Sequence, residues 1–236
     1  MIKPFEIVLQ ELEGVFRRLE EVTPPPKEVP YEDGYKLRYE ERTVQQALLQ
    51  KFARYIRGLY AIELLCKNGF CQEQGAIQRT LDDIEEDILF LSYGLSGKWT
   101  DNHDKYLEYF WMEEPGVGMV KRDKIRAYVL QSDGIDDPSS AIKASKAVFK
   151  AYSGFIHANA VAVIDMCEGN PPRFRLSGML DHPLYEDHVL DKWNYFYRGL
   201  VASCYMAKSF SDDELVDERV TSLKNFEARY GTMLFL

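Results

Sequence analysis

Residues 71–95 read CQEQGAIQRTLDDIEEDILFLSYGL, and Ile77, Leu81, Ile84, Ile88, Leu91 and Leu95 recur at spacings of 4, 3, 4, 3 and 4. That rhythm lays one apolar stripe along an α-helix, the pattern of a bundle seam. Just upstream, Asn68-Gly69 is a helix stop, because both residues tolerate the left-handed backbone. Before it, Val44, Leu48, Phe52, Tyr55, Leu59 and Ile62 predict a second long helix over 40–67. So short a connection makes the two helices antiparallel neighbours.

The same periodicity extends outward. Phe5, Leu9, Leu12, Phe16 and Leu19 predict a helix over 5–22, stopped by Thr23-Pro24-Pro25-Pro26. Residues 27–38 read as a polar linker, with Tyr31, Tyr35 and Tyr39 expected to pin it across the bundle. Further helices are expected over 102–113, 119–131, 140–167, 184–210 and 212–229, with a short extended piece within 173–183. Leu190, Trp193, Tyr197, Leu200 and Cys204 are the expected seam of 184–210. The apolar tail Met233-Leu234-Phe235-Leu236 is expected to dock on the body or on a second copy. The fold class is therefore all-α, a bundle of about seven helices. It forms a single domain over 1–236, with an arm at 1–39, a core at 40–170 and C-terminal helices at 184–230.

Composition excludes several classes of protein. With 46% hydrophobic residues, 15 Tyr, 13 Phe and 3 Trp in 236 residues, a disordered chain is ruled out. No run approaches the ~18 apolar residues a membrane span needs. Glu6 and Glu11 interrupt any export-signal pattern, so a cytoplasmic protein without membrane contact is expected. The net charge of -9 disfavours nonspecific nucleic-acid binding. Lys121, Arg122, Lys124 and Arg126, and the stripe Lys143, Lys146 and Lys150, read as solvated faces. Cys66, Cys71, Cys167 and Cys204 form no CxxC pair and are expected to be reduced and buried, although Cys66 and Cys71 flank a turn and could meet.

No metal or cofactor is expected. A carboxylate-bridged di-iron bundle needs Glu-x-x-His on two helices. Three residues before His103, His157, His182 and His188 stand Thr100, Gly154, Met179 and Tyr185. The pair His182 and His188 matches no common zinc spacing. The acidic run Asp82-Asp83-Ile84-Glu85-Glu86-Asp87 points around its helix and reads as a solvated face. There is no Gly-x-Ser-x-Gly elbow and no Gly-rich phosphate loop.

One segment stands apart, Lys150-Ala151-Tyr152-Ser153-Gly154-Phe155-Ile156-His157-Ala158-Asn159-Ala160. Its small residues let another backbone approach, and Ser153 and His157 share a helix face. Asn159, set among apolar neighbours, needs a hydrogen-bond partner. The cluster reads either as a buried His–Ser pair that fixes packing or as a pocket wall bearing an acid–base histidine. Its expected partner is a second stripe on 71–95, made of Arg79, Asp83, Glu86, Phe90 and Tyr93. If that helix is central, Arg79 is partly buried with Asp83; if peripheral, the two form an ordinary surface pair. Tyr152, Ser153, His157 and Asn159, with Arg79, Asp83 and Glu86, are thus the candidate binding residues.

Gln74-Gly75-Ala76-Ile77-Gln78-Arg79-Thr80-Leu81-Asp82-Asp83, followed by Tyr152-Ser153-Gly154-Phe155-Ile156-His157, resembles a family of uncharacterised, mostly bacterial, all-helical proteins. Asp83 stands where that family usually has Glu. The family is in turn distantly similar to HEPN helical bundles, many of which are dimeric ribonucleases of defence or toxin systems. The resemblance implies a homodimer, and an alternative function as a metal-independent ribonuclease. In that alternative His157 is the acid–base group, and Lys150 (in place of the family's Arg) or Arg79 is the phosphate partner. The first expectation from the residues themselves is a noncatalytic regulatory protein that binds a small ligand or a protein partner.

Overall fold

The computed structural model describes residues 4–112, 118–135 and 137–231, with side chains at all of these except Pro4, 144–149 and Ala151. The predicted stripes form helices close to their expected bounds: α1 (Pro4–Glu21), then after a hairpin β1 (Lys27–Tyr31) and β2 (Gly34–Arg38), α2 (Val44–Lys67) and α3 (Cys71–Ser96). There follow α4 (Asp101–Trp111), α5 (Arg122–Ser132), α6 (Ser139–Ile156), α7 (Ala160–Ile164), the two-residue strands β3 (Cys167–Glu168) and β4 (Arg173–Phe174), α8 (Tyr185–Ser209) and α9 (Asp213–Tyr230). The protein is predominantly helical, and none of the described helices is long and apolar enough to cross a membrane.

Local chemistry fixes the start and stop of the central pair. Thr43 and Gln46 form a capping box at the head of α2, the hydroxyl taking the Gln46 N–H and the Gln46 side chain taking the Thr43 N–H. At the other end Gly69 sits at φ 74°, and a Cβ there would meet the Met179 nitrogen at 2.5 Å, so both conformation and space demand glycine. Lys51 of α2 reaches Asp87 of α3, and Gly58 lies on Leu81, so these helices run antiparallel. Gln74, Asp82 and Ser92 of α3 meet His188, Tyr195 and Ser209 of α8, so those two run parallel.

The core lies between α1, α2, α3 and α8, around Leu12, Leu48, Phe52, Tyr55, Leu59, Leu81, Ile88 and Phe196. Helix α3 is central to it: α2, α5, α6 and α8 all pack on α3. Phe5 meets Trp193 and Phe196, which ties α1 to α8. Arg18 donates to Asp212 at 2.7 Å, which joins the end of α1 to the start of α9.

Several expectations are corrected. Residues 27–38 are no linker but a hairpin turning at Glu32, whose φ is 49°; Tyr31 and Tyr35 are exposed, and of the three tyrosines only Tyr39 packs inward, on Trp111. The expected helix 140–167 ends at Ile156, because the backbone turns left-handed at Ala158 and Asn159 starts α7. With this split and its neighbours there are nine helices among the described residues rather than seven. The expected seam of α8 holds at Leu200, which is buried, and at Trp193 and Tyr197, which pack on the core, but Leu190 is 58% exposed and the buried face extends instead to Lys192, Tyr195 and Ser203. The tail 233–236 lies outside the described residues. So does the side chain of Lys146, while Lys143 and Lys150 are exposed.

Candidate functional site

The acidic run of α3 is not a solvated face. Its carboxylates divide between two sides of the helix, and each side is met by cations from a different neighbour. On the α8 side, Asp82 Oδ1 accepts from Arg198 Nη1 at 2.7 Å and from the Tyr195 hydroxyl at 2.9 Å, and Glu85 pairs with the same guanidinium. Tyr55 donates to the Tyr195 carbonyl at 2.9 Å, and Tyr152 of α6 donates to Asp191 at 2.7 Å. Burial opposes the charge on Arg198, but Glu85 and Asp82 outweigh it and hold the guanidinium well above its ordinary value. Burial likewise raises the Glu85 carboxyl, against the pull of Arg198. The Tyr195 and Tyr152 phenols are pushed up by burial and by the nearby carboxylates.

On the opposite side, Arg79 Nη1 lies 2.8 Å from Asp83 Oδ1, and Arg126 Nε donates to Glu86 at 2.6 Å. Arg122 donates to Asp87 at 2.5 Å and to the Asp83 carbonyl at 3.0 Å, while Lys51 Nζ donates to the other oxygen of Asp87 at 2.8 Å. Burial pushes the Glu86 carboxyl up to about 7, although Arg126 and Arg122 draw it down. The stripe Arg79, Asp83 and Glu86 is therefore assembled, half-buried, in the manner of a central helix. Arg122 and Arg126, expected to be solvated, are the groups that neutralise it.

This second cluster floors a cavity of about 280 Å³ between α2, α3, α4 and α5. Tyr106, Tyr109, Phe110, Met119, Val120 and Ile125 form its apolar walls, above Lys51, Asp87 and Arg122. The cations are the reachable charges: the side chains of Lys51 and Arg122 are 21% and 27% exposed, that of Asp87 only 2%. Lys51 also stands over the Phe110 ring at 5.2 Å. Burial and Asp87 hold the Tyr106 phenol well above its usual range. Other cavities differ in kind. A larger one, about 830 Å³, is a groove between α1 and α9 whose charges largely face water.

The remaining candidates do not converge. His157 is exposed at the end of α6, its backbone N–H bonded to the Ser153 carbonyl, and it lines neither of these cavities. The inward course toward Arg79 and Asp83 fails because the helix stops before residue 157. Asn159 is exposed, and its needed partner is the Ala162 N–H, which it caps. Ser153 is half-buried and Lys150 exposed. Only Tyr152 faces the charged core, and it faces the Asp82 side rather than Asp83. The histidine side chains that do point inward are His103, stacked on Phe90 at 3.9 Å, His182, 8% exposed beside Glu168, and His188, beside Phe155. Lys51, Asp87, Tyr106 and Phe110 were missed as site residues. Their one signal was that Asp87 follows Asp83 at the helical spacing of four, on the stripe already noted.

The cysteines are free, and Cys66 and Cys71 are buried side by side; burial, reinforced by Cys66, pushes the Cys71 thiol up to about 11. Among the described residues no group of three or more His, Cys, Asp or Glu could hold a metal ion. No family model, curated protein or solved structure matches this chain.

Proposed function

We propose that this protein is a noncatalytic binding bundle, and that its small-ligand site is the aromatic-walled cavity over Lys51, Asp87 and Arg122. One observation carries the reading: two cations remain reachable at the floor of an otherwise apolar cavity, while the anion between them is covered. Such a site favours a compact anion with an apolar body, the charge toward Lys51 and Arg122 and the body against Tyr106 and Phe110. A cavity of about 280 Å³ admits a single aromatic ring with its carboxylate. The regulatory role and the assembly of this bundle as a homodimer belong to the same proposal. Titration with benzoate, followed by NMR of the Tyr106, Phe110 and Met119 side chains, tests it. Saturable shifts are expected, weakened at least tenfold by Lys51→Met. Absence of saturable shifts with benzoate, or equal binding by Lys51→Met, would overturn it.

A second reading, a HEPN-like metal-independent ribonuclease, is favoured by one fact: Lys150 near the end of α6 and His157 just past that end are both open to solvent. Arg79 is bound to Asp83 and would not join them, so the phosphate charge would rest on Lys150. Degradation of RNA by the wild-type chain and its loss in a folded His157→Ala variant would support this reading. No degradation, or equal degradation by both, would end it.

A further inference from the structure

On the other face of α3, a row of buried side chains carries polar atoms with no protein partner. Gln74, Gln78 and Asp82 follow one another at spacings of four and are 0%, 0% and 3% exposed. Gln74 Oε1, both amide atoms of Gln78, and Asp82 Oδ2 make no hydrogen bond. Across from them, His188 Nδ1 is also buried and unbonded. A buried amide or carboxylate oxygen left so destabilises the fold, because it gives up its bond to water and gains none. Five such atoms lie together on one seam, and an unsatisfied buried group in a native structure calls for an explanation such as a bound water or ion.

Their chemistry is one-sided. Four of the five are oxygen or ring-nitrogen atoms able to accept, and only the Gln78 amide nitrogen is solely a donor. Asp82, Glu85 and Asp191 outnumber Arg198, so the surroundings are net negative. Aromatic rings close the site. Tyr152 lies 6.5 Å from Tyr195 and 6.0 Å from Phe155, and Phe155 lies 6.0 Å from His188. Acceptors, net negative charge and ring faces together suit a cation that carries N–H donors.

We propose that the junction of α3, α6 and α8 is a second binding site, independent of the cavity over Asp87, for a small alkylammonium cation held by Gln74, Gln78 and Asp82 under the rings of Tyr152 and Phe155. Successive members of the row stand ~6 Å apart along the helix, a distance that a four-carbon diamine spans between its nitrogens. Helix α6 covers the row, with Phe155 lying on Gly75, so entry requires α6 to lift from α3.

The test is thermal unfolding and calorimetry of the full chain with 1,4-diaminobutane, butylamine and tetramethylammonium at matched ionic strength. The two primary amines are expected to raise the melting temperature saturably, and tetramethylammonium, which has no N–H, is not. Gln78→Met should weaken the amines at least tenfold while leaving the unliganded protein as stable or more so. Gln78→Glu adds an acceptor charge and should respond to amine more strongly than the wild type. Should Gln78→Met fail to fold, Gln78→Glu decides alone: an amine response no larger than wild type overturns the proposal. So does the absence of any saturable amine effect, as expected of a row satisfied by water only, or amine binding unchanged in folded Gln78→Met.

Discussion

Arg198→Met removes the one cation shared by two buried carboxylates. In the wild type the guanidinium donates to Asp82 and Glu85, whose side chains are 5% and 8% exposed. Methionine fills much of the same volume but leaves both charges in the interior with no opposite charge at contact distance. Breaking a buried pair in this way costs about 3–5 kcal/mol. For a chain of this size that lowers the melting temperature by roughly 6–20 °C. The loss depends on pH, and its sign follows from linkage. Burial already raises the Glu85 carboxyl, and loss of Arg198 removes the charge that opposes this, so Glu85 titrates higher in the folded variant than in the unfolded chain. Protonated, it avoids the cost of a buried charge, so the variant keeps more of its stability in acid and loses it as pH rises through the folded value of Glu85. The deficit relative to wild type should therefore be small near pH 4 and full by pH 8. Urea unfolding followed by circular dichroism at four or five pH values measures it, and Arg198→Met with Asp82→Asn and Glu85→Gln should recover most of the loss. A deficit below about 1 kcal/mol at pH 8, or one that does not change with pH, would refute the claim that these carboxylates depend on Arg198.

Other perturbations follow from the same geometry. Glu86 is raised to about 7 by burial, so its ionisation weakens the fold as pH rises; the stability difference between Glu86→Gln and wild type should move in the variant's favour by about 3 kcal/mol between pH 4 and pH 8, read by urea unfolding. Gly75→Ala gains about 1 kcal/mol of helix propensity, but its Cβ would sit 2.5 Å from a Phe155 ring carbon. Overpacking of about 1–3 kcal/mol should outweigh that gain and appear as faster hydrogen exchange over 139–156, with α2 unaffected. Thr43→Ala removes one half of the capping box and should cost about 1 kcal/mol, with exchange accelerated in the first turn of α2.

The helices were legible because burial of a single face writes a period of three and four into the sequence, and α1, α2, α3, α8 and α9 each begin and end within a few residues of expectation. The hairpin at 27–38 was not, since its strands are mostly exposed and carry little alternation to read. The end of α6 was missed for a different reason. Nothing apolar changes at residue 157; the helix stops because Asn159 finds a backbone N–H to cap, a local hydrogen bond that competes with helix and leaves no trace in periodicity. Half of the candidate site followed from spacing alone. Arg79, Asp83 and Glu86 do meet, because residues three and four apart on a helix are neighbours whatever else the chain does. The other half needed distances between helices, and one misplaced helix end was enough to carry His157 out of it.

The acidic run of α3 shows why charge is harder to place than apolar surface. A carboxylate on a helix gives the same sequence whether it faces water or an arginine 113 residues away, as Glu85 faces Arg198. The structural consequence lies in register more than in stability, because buried ion pairs are often no better than well-packed apolar residues. If α8 slid one turn along α3, Arg198 would leave Asp82 and Glu85 and stand beside Gln78 and Leu81, or beside Glu86 and Leu89. Either slip strands two buried carboxylates, and an apolar seam of Leu and Ile offers no comparable penalty. On the opposite face Arg122 and Lys51 fix α5 and α2 against Asp87 by the same means. The pairs on α3 thus select one alignment of α2, α3, α5 and α8, and that alignment is what sets Lys51 and Arg122 on either side of Asp87 and holds Arg198 between Asp82 and Glu85.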